Sequence, residues 1–275
     1  MPKGALRSAC AVVFATLAAA APASAQDIIE AEAEIEVDLE LVLAVDVSVS
    51  TTYEERITQR RGYVEAFRHA DVVHAIRAGA LGRIAVTYLE WSGADYQEIL
   101  VPWTVIDSPE SADVFIDLLE DVPMSRQHTT SISEALLFSA NLIVNNRYLG
   151  ERRVIDISGD GPNNAGRRLV DIRQVVINRG ITINGLPVVI RRDDPWLNVF
   201  EGGVASYYRD CVVGGDGALL VPVTSIADFS DAIRYKLILE IAGLQPEEPA
   251  LVVPVQAPPP PRGPADCAMT EPPLP

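Results

Sequence analysis

Apolar, β-branched stretches alternate with amphipathic stretches along most of the sequence, and this alternation restricts the chain to few folds. The stretches with strand character are Leu39–Val45, Arg83–Trp91, Glu98–Ile106, Arg153–Ile157, Ile181–Val188 and Ala218–Val223. The stretches with helix character lie at about residues 52–67, 109–120, 131–145, 167–179, 198–209 and 226–242. Strands that are apolar on both faces and alternate with helices are typical of a parallel sheet covered by helices on both sides. The sequence therefore predicts a doubly wound α/β domain.

One connection departs from this alternation. The second and third candidate strands are joined by the polar segment Ser92–Gln97, which is too short to contain a crossover helix. We therefore expect these two strands to form an antiparallel hairpin at one edge. The full prediction is a mostly parallel, six-stranded sheet with one antiparallel edge strand, formed by residues 37–243.

The N-terminal segment predicts export. Lys3 and Arg7 precede the apolar run Ala9–Ala21, which is followed by the small-residue sequence Ala23–Ala25. This pattern is typical of a cleaved signal peptide, and the run is shorter than the ~20 residues of a transmembrane helix. We expect the mature protein to begin at Gln26 and to be periplasmic or extracellular. No later stretch is long and apolar enough to predict a membrane span.

The two ends of the mature chain differ in composition from its centre. Residues 26–36 form a short acidic lead-in, and 11 of the 20 prolines lie from residue 246 onward. We expect residues 244–275 to be an extended, proline-rich tail. Such a tail can dock into an aromatic groove of a partner, so a structural or assembly protein is one alternative function.

Net charge argues against nucleic acid as a partner. The formal charge changes from −16 to −18 on signal cleavage, because Lys3 and Arg7 are lost and no acidic residue is lost with them. A surface this acidic repels phosphate backbones and anionic lipids, and the chain has no long basic run to offset the repulsion.

The cysteines predict one disulfide. Cys10 is removed with the signal peptide, so Cys211 and Cys267 remain as a pair in an oxidising compartment. Neither has the nearby cysteine or histidine residues that a zinc site requires. A disulfide between them is the simplest interpretation.

Polar residues follow the first strand at the place where parallel sheets present their ligand-binding loops. Leu39–Val45 leads directly into Asp46, Ser48 and Ser50, which are spaced as D-x-S-x-S. By itself this motif is also compatible with a helix N-cap at Ser50 or the threonines after it.

Two further segments favour a metal site over a helix cap. Thr130 opens a predicted helix after a polar loop, and Asp160 follows a predicted strand in the sequence Ser158–Gly161. All three loops are expected at the same edge of the sheet. They would bring two carboxylates and three hydroxyls together, and hard oxygen donors of this kind suit Mg²⁺.

These three segments resemble the metal ion-dependent adhesion site (MIDAS) of von Willebrand factor A domains. The ligand positions implied by the resemblance are Asp46, Ser48, Ser50, Thr130 and Asp160. His128 and Thr129 stand where the family usually has two glycines. Segments such as Ser158–Asn164 and Tyr207–Cys211 also resemble a bacterial secreted branch of undefined function.

The resemblance implies a binding module rather than an enzyme. Bound Mg²⁺ or Mn²⁺ would keep an open position for the acidic group of a protein or other ligand. Residues that we expect near the ligand are His128, Thr129, Glu90 and Asn163. For Glu90, packing beneath a loop is an equally good interpretation.

The strongest enzymatic alternative is a metal-dependent phosphatase. The segment Gly159–Asn164 also resembles the glycine-aspartate metal motif of haloacid dehalogenase-like phosphatases. Those enzymes normally carry a second acid two residues after the nucleophile, and here that position is Ser48. After export Lys236 is the only lysine left to neutralise a phosphate, although an arginine could substitute. A serine hydrolase and a dinucleotide-binding protein are disfavoured, because the chain lacks G-x-S-x-G and lacks G-x-G-x-x-G after the first strand.

Overall fold

The computed structural model describes residues 33–48, 53–120, 129–190, 200, 203–244 and 267–271. Residues with a predicted role that lie outside this part are Ser50 and His128, together with the signal segment, the lead-in up to residue 32 and most of the tail. No helix within the described ranges is long and apolar enough to cross a membrane.

A mixed five-stranded sheet forms the centre of the domain. Its strands are β1 (Ile35–Asp46), β2 (Ile84–Trp91), β3 (Gln97–Ile106), β4 (Tyr148–Gly159) and β5 (Thr182–Pro187). They lie in the order β3-β2-β1-β4-β5, and every neighbouring pair is parallel except β2 and β3. The α/β class and the antiparallel edge strand are thus confirmed. The central strand is β1.

The predicted sixth strand, Ala218–Val223, does not form, and a proline in β5 explains why. This segment runs beside β5, with the backbone N–H of Val221 donating to Gly185 O and that of Val223 donating to Pro187 O. Pro187 has no N–H to donate in return, so the ladder breaks into isolated bridges. The described residues therefore form five strands instead of six.

Helices cover both faces of the sheet. They are α1 (Tyr53–Arg68), α2 (Ala70–Arg77), α3 (Pro109–Glu120), α4 (Ile132–Val144), α5 (Leu169–Asn178), α6 (Gly203–Tyr207) and α7 (Phe229–Ala242). A π-helical turn, Tyr208–Val212, follows α6 directly. Alternate residues of β1 point to opposite faces. Leu41 and Leu43 pack in the core with α1, α2, α3 and α7, whereas Val42 and Ala44 pack in the core with α4, α5 and α6.

Asp156, Lys236 and Glu240 form a buried ionic cluster between β4 and α7. The Lys236 ammonium lies 2.6 Å from Asp156 Oδ1 and also pairs with Glu240 Oε1, and no side chain of the three is more than 2 % exposed. The Asn184 amide donates to the same Glu240 oxygen at 2.7 Å. Asp156 lies in an apolar strand, and Lys236 compensates its buried charge. Two carboxylates thus share one cation.

This imbalance affects the ionisation of Glu240. Burial, and next the charge of Asp156, raise the pKa of Glu240 to about 7. Burial also raises the pKa of Asp156, although Lys236 opposes that shift. Near neutral pH the cluster therefore retains a proton that the unfolded chain would release.

Glu240→Gln is expected to change how stability depends on pH. Because the pKa of Glu240 is raised from 4.5 to about 7 in the folded protein, its contribution is full below pH 4.5 and is lost as the pH rises through 7. Glutamine does not titrate, so the variant does not lose this stability. The free energy of unfolding of Glu240→Gln should therefore rise relative to that of wild type by roughly 2–3 kcal/mol between pH 4.5 and 7. Denaturant unfolding across this interval measures the difference. The control Glu98→Gln, at an exposed position on β3, should show the same pH dependence of stability as wild type. If Glu240→Gln also shows the pH dependence of wild type, the expectation is wrong.

Candidate metal centre

Asp46, at the end of β1, is completely buried although it carries a carboxylate. The Ser48 backbone N–H donates to Asp46 Oδ1 at 2.8 Å, and the Val47 N–H donates to Trp91 O at 2.9 Å. These bonds turn the chain at the carboxyl edge of the sheet. Among the described residues, none donates a hydrogen bond to the buried Asp46 Oδ2. A buried carboxylate oxygen without a donor is costly, and a cation would satisfy it.

The third predicted loop comes close to this carboxylate because β4 lies beside β1, with Ser158 paired to Val45. A Cβ at Gly159 would lie only 2.9 Å from Asp46 Oδ2, so a larger residue would have to displace the Asp46 carboxylate. The next residue, Asp160, is partly exposed. Burial, and then the charge of Asp160, raise the pKa of Asp46 to about 8, and hydrogen bonds from Ser48 and from the Asp160 backbone partly oppose this shift.

The second predicted loop is fastened to the third. The Thr130 N–H donates to Asn164 Oδ1 at 3.0 Å, and the Asn164 N–H donates to Thr130 O at 2.9 Å. The Ser131 hydroxyl accepts from the Glu134 N–H at the start of α4 and donates to Ala165 O at 2.9 Å. The structure therefore brings Thr130 to the same edge as Asp46 and Asp160. The sequence did not single out Asn164 for this role.

The loop after β2 holds the second loop from its other side. Ser92 O accepts from the Ser131 N–H at 2.6 Å, and the Ser92 hydroxyl donates to Thr129 O. Thr129 itself is exposed and its hydroxyl lies against Gly93. Of the residues expected near the ligand, Thr129 is thus at the surface of the site.

Glu90 and Asn163, also expected near the ligand, are buried. The Glu90 carboxylate pairs with the Arg60 guanidinium at 2.5 Å. Asn163 Oδ1 accepts from the Ser133 N–H at 3.1 Å, and the Asn163 N–H donates to Tyr207 Oη at 3.1 Å. The structure gives both residues internal partners and places neither at an exposed rim.

Tyr208 contacts the site although the sequence assigned it no role. Its hydroxyl is buried, and among the described residues it has no hydrogen-bond partner. A Cβ at Gly159 would lie 2.5 Å from this hydroxyl, so Tyr208 Oη and Asp46 Oδ2 lie on the same side of Gly159. Burial, followed by the charges of Asp46 and Asp160, raises the pKa of Tyr208. Single π-helical turns are often found at functional sites, but they leave no clear pattern in a sequence.

Comparison with known proteins decides the family. A family model described as "Protein of unknown function (DUF1194)" matches residues 36–245, which is most of the chain. The chain belongs to this family. No curated protein matches its sequence.

Solved structures show which fold the DUF1194 chain has. Proximal thread matrix protein 1 from the mussel byssus has a TM-score of 0.54 and 13 % identity, over 76 % of this chain and 49 % of that protein. The von Willebrand factor domain of the type V pili tip protein Mfa5 from Porphyromonas gingivalis has a TM-score of 0.52 and 9 % identity, over 77 % of this chain and 98 % of that one. The von Willebrand factor A fold is therefore confirmed. This chain spans about half the length of the mussel protein, one structure of which has a zinc-occupied MIDAS.

The residues of the DUF1194 site fit a hard divalent cation. The described ranges contain no group of three or more His, Cys, Asp and Glu residues suited to a metal, so a cation here depends on hydroxyl and water oxygens besides two carboxylates. Ser48 and Thr130 are described residues that can supply hydroxyls. The buried Asp46 Oδ2 and the closeness of the two acids both favour a positive charge at this position.

Proposed function

We propose that this protein is an exported module that binds a ligand through a divalent cation. The residues proposed to hold the cation are Asp46, Ser48, Ser50, Thr130 and Asp160. The observation that carries the proposal is the fully buried Asp46 carboxylate, whose Oδ2 has no donor among the described residues and which lies beside a second acid. When bound, the cation supplies an electrophilic centre for an incoming carboxylate.

The burial of the proposed ligands indicates where a partner approaches. Asp46, Ser48 and Thr130 are buried, whereas Asp160 is partly exposed. We therefore place the open side of the site next to Asp160 and the exposed Thr129. Oxygen donors favour Mg²⁺ or Mn²⁺. The zinc-occupied MIDAS of the mussel protein supports a divalent cation at a site of this type.

An acidic group on a protein or another ligand is the proposed partner. Structures with the same fold include the pilus adhesin SpaC from Lactobacillus rhamnosus GG and the pilus tip protein Mfa5, which supports a role in protein binding. We propose no catalytic role, because Ser48 occupies the position where a phosphatase would carry its general acid. The N-terminal sequence supports export, and so does a disulfide, a bond that is rare in reducing compartments.

Carboxylate binding can be tested separately from metal binding. Bound Mn²⁺ that keeps exchangeable water increases the relaxation rate of water protons, and a carboxylate that replaces this water should reduce the effect. We expect acetate to lower the relaxation rate of the Mn²⁺-loaded protein, and acetamide, which has the same shape without the charge, to leave it unchanged.

The controls for this titration separate the alternatives. Asp113→Asn, an exposed substitution on α3, should behave as wild type. If Mn²⁺ binds but acetate and acetamide act alike, the cation has only a structural role and the proposed ligand-binding mechanism is wrong. Hydrolysis of a generic phosphate ester by the Mg²⁺-loaded protein would favour the phosphatase instead.

A further inference from the structure

The structure contains the expected disulfide between Cys211 and Cys267, which fastens the end of the chain to the π-helical turn. The segment that it fastens, Cys267–Glu271, is called the C-terminal clip below. Cys267 is buried in the core beside α5, α6 and the π-helical turn. The covalent link therefore holds the clip against the turn that carries Tyr208, whose hydroxyl lies next to Gly159 in the candidate metal centre.

Two side chains of the clip bind the segment that follows Asp160. The Thr270 hydroxyl donates to Asn163 O at 2.9 Å. The Glu271 carboxylate is 4 % exposed and accepts from the Leu169 N–H at 2.7 Å. That N–H is in the first turn of α5, where backbone donors have no partner within the helix and a negative charge is favourable. Glu271 thus caps α5 from a distant part of the chain.

Asn163 transmits these contacts to the metal centre. The Asn163 backbone carbonyl accepts from the Thr270 hydroxyl, and the Asn163 N–H donates to Tyr207 Oη. The Asn163 side-chain oxygen accepts from the Ser133 N–H in the first turn of α4. Its neighbour Asn164 accepts from the Thr130 N–H at Oδ1 and donates its own N–H to Thr130 O. The segment Asp160–Asn164, called the metal loop below, is therefore held between α4, α6 and the clip.

We infer that the C-terminal clip is a positioning element for the metal loop, acting through Asn163 and the disulfide-linked π-helical turn. The hydrogen bonds of the clip described above go to Asn163 and Leu169, which are not among the proposed metal ligands. The clip fixes the backbone three residues after Asp160 and the turn that places Tyr208 beside Gly159. The expected change in metal affinity rests on the proposed function, because it requires that the site binds a cation. Hydrogen exchange of the metal loop provides a readout that does not need a metal.

Two variants of the full mature chain test the inference. The first is Cys211→Ser with Cys267→Ser, which removes the covalent link. The second is Thr270→Val with Glu271→Gln, which keeps the link and removes the polar contacts. The matched control combines two substitutions on β3, Thr104→Val at a partly buried position and Glu98→Gln at an exposed position.

The measurements are the Mn²⁺ dissociation constant and amide hydrogen exchange without metal. Both clip variants should bind Mn²⁺ roughly 10- to 100-fold more weakly, as is usual when a residue that supports metal ligands is lost. Their Asn163 and Asn164 amides should exchange at least about tenfold faster, while amides of β1 keep the protection of the control. Preserved β1 protection shows that the domain is folded and that the effect is local to the metal loop.

The outcomes separate this inference from the proposed function. If wild type binds Mn²⁺ and both clip variants match the control in affinity and in loop exchange, the inference is wrong and the proposed function stands. If wild type does not bind Mn²⁺, the proposed function fails and loop exchange alone decides the inference. Faster exchange at Asn163 and Asn164 in both variants then supports it, and unchanged exchange overturns it.

Discussion

Asp46→Asn is expected to make the metal-free protein more stable. The pKa of Asp46 rises from 3.8 to about 8 on folding. The contribution of Asp46 to the stability of the folded protein is therefore full below about pH 4 and is lost as the pH rises to 8. Asparagine has a similar shape, can still accept from the Ser48 N–H, and carries no charge to bury. At pH 7 we expect a gain of roughly 2–4 kcal/mol in the free energy of unfolding. Denaturant unfolding after treatment with a chelator measures it.

The same substitution should remove the response to metal. In wild type, Mg²⁺ or Mn²⁺ at 100 times its dissociation constant should add about 2.7 kcal/mol by mass action. For a domain of this size that corresponds to a rise of roughly 5–10 °C in melting temperature. Asp46→Asn should weaken binding roughly 100-fold or more, because it removes a charged ligand. An unchanged metal response in the variant would show that Asp46 is not a ligand, and Asp113→Asn serves as the control.

Lys236→Met is expected to cause the largest loss of stability. It removes the ammonium that contacts both Asp156 and Glu240, so these two buried acids lose their shared cation. Breaking a buried ion pair in this way costs about 3–5 kcal/mol. The melting temperature should fall by roughly 10 °C. Thermal unfolding at pH 7 is the measurement.

Two controls separate charge from loss of packing at Lys236. Arg68→Met breaks the exposed pair with Glu120, and a surface pair of this kind contributes at most about 1 kcal/mol. Adding Asp156→Asn and Glu240→Gln to Lys236→Met should recover most of the lost stability, because this cluster then contains no charged group. If the triple variant is as unstable as the single one, packing rather than charge makes Lys236 necessary.

Much of the fold could be predicted from the sequence because its signals are local. Apolar runs identified the five observed strands, and the short segment Ser92–Gln97 identified the antiparallel pair. The sixth strand failed because the missing donor, Pro187, lies in the neighbouring strand and not in the segment itself. Helix α2 was also missed. It begins at Ala70, and its N-cap is His69, whose ring nitrogen accepts from the Asp71 N–H.

In the candidate site, too, the residues in local motifs could be predicted and the residues with distant partners could not. The proposed ligands could be named because each directly follows a strand or opens a helix, within a short motif. The residues that hold those loops together could not, because their partners are distant in sequence. Asn164 binds across to Thr130, and Glu271 reaches Leu169 from the other end of the chain. For Glu90 the sequence left two interpretations open, and only the packed structure shows Arg60 beside it.

Calorimetric titration of the metal-stripped mature protein with Mn²⁺ and Mg²⁺ tests the central claim most directly. The account predicts one bound cation per chain in wild type and in Asp113→Asn, and no binding at that site in Asp46→Ala or Asp160→Ala. Absence of binding heat in wild type, together with no change in melting temperature at millimolar metal, would contradict it. So would binding that survives the loss of both aspartates.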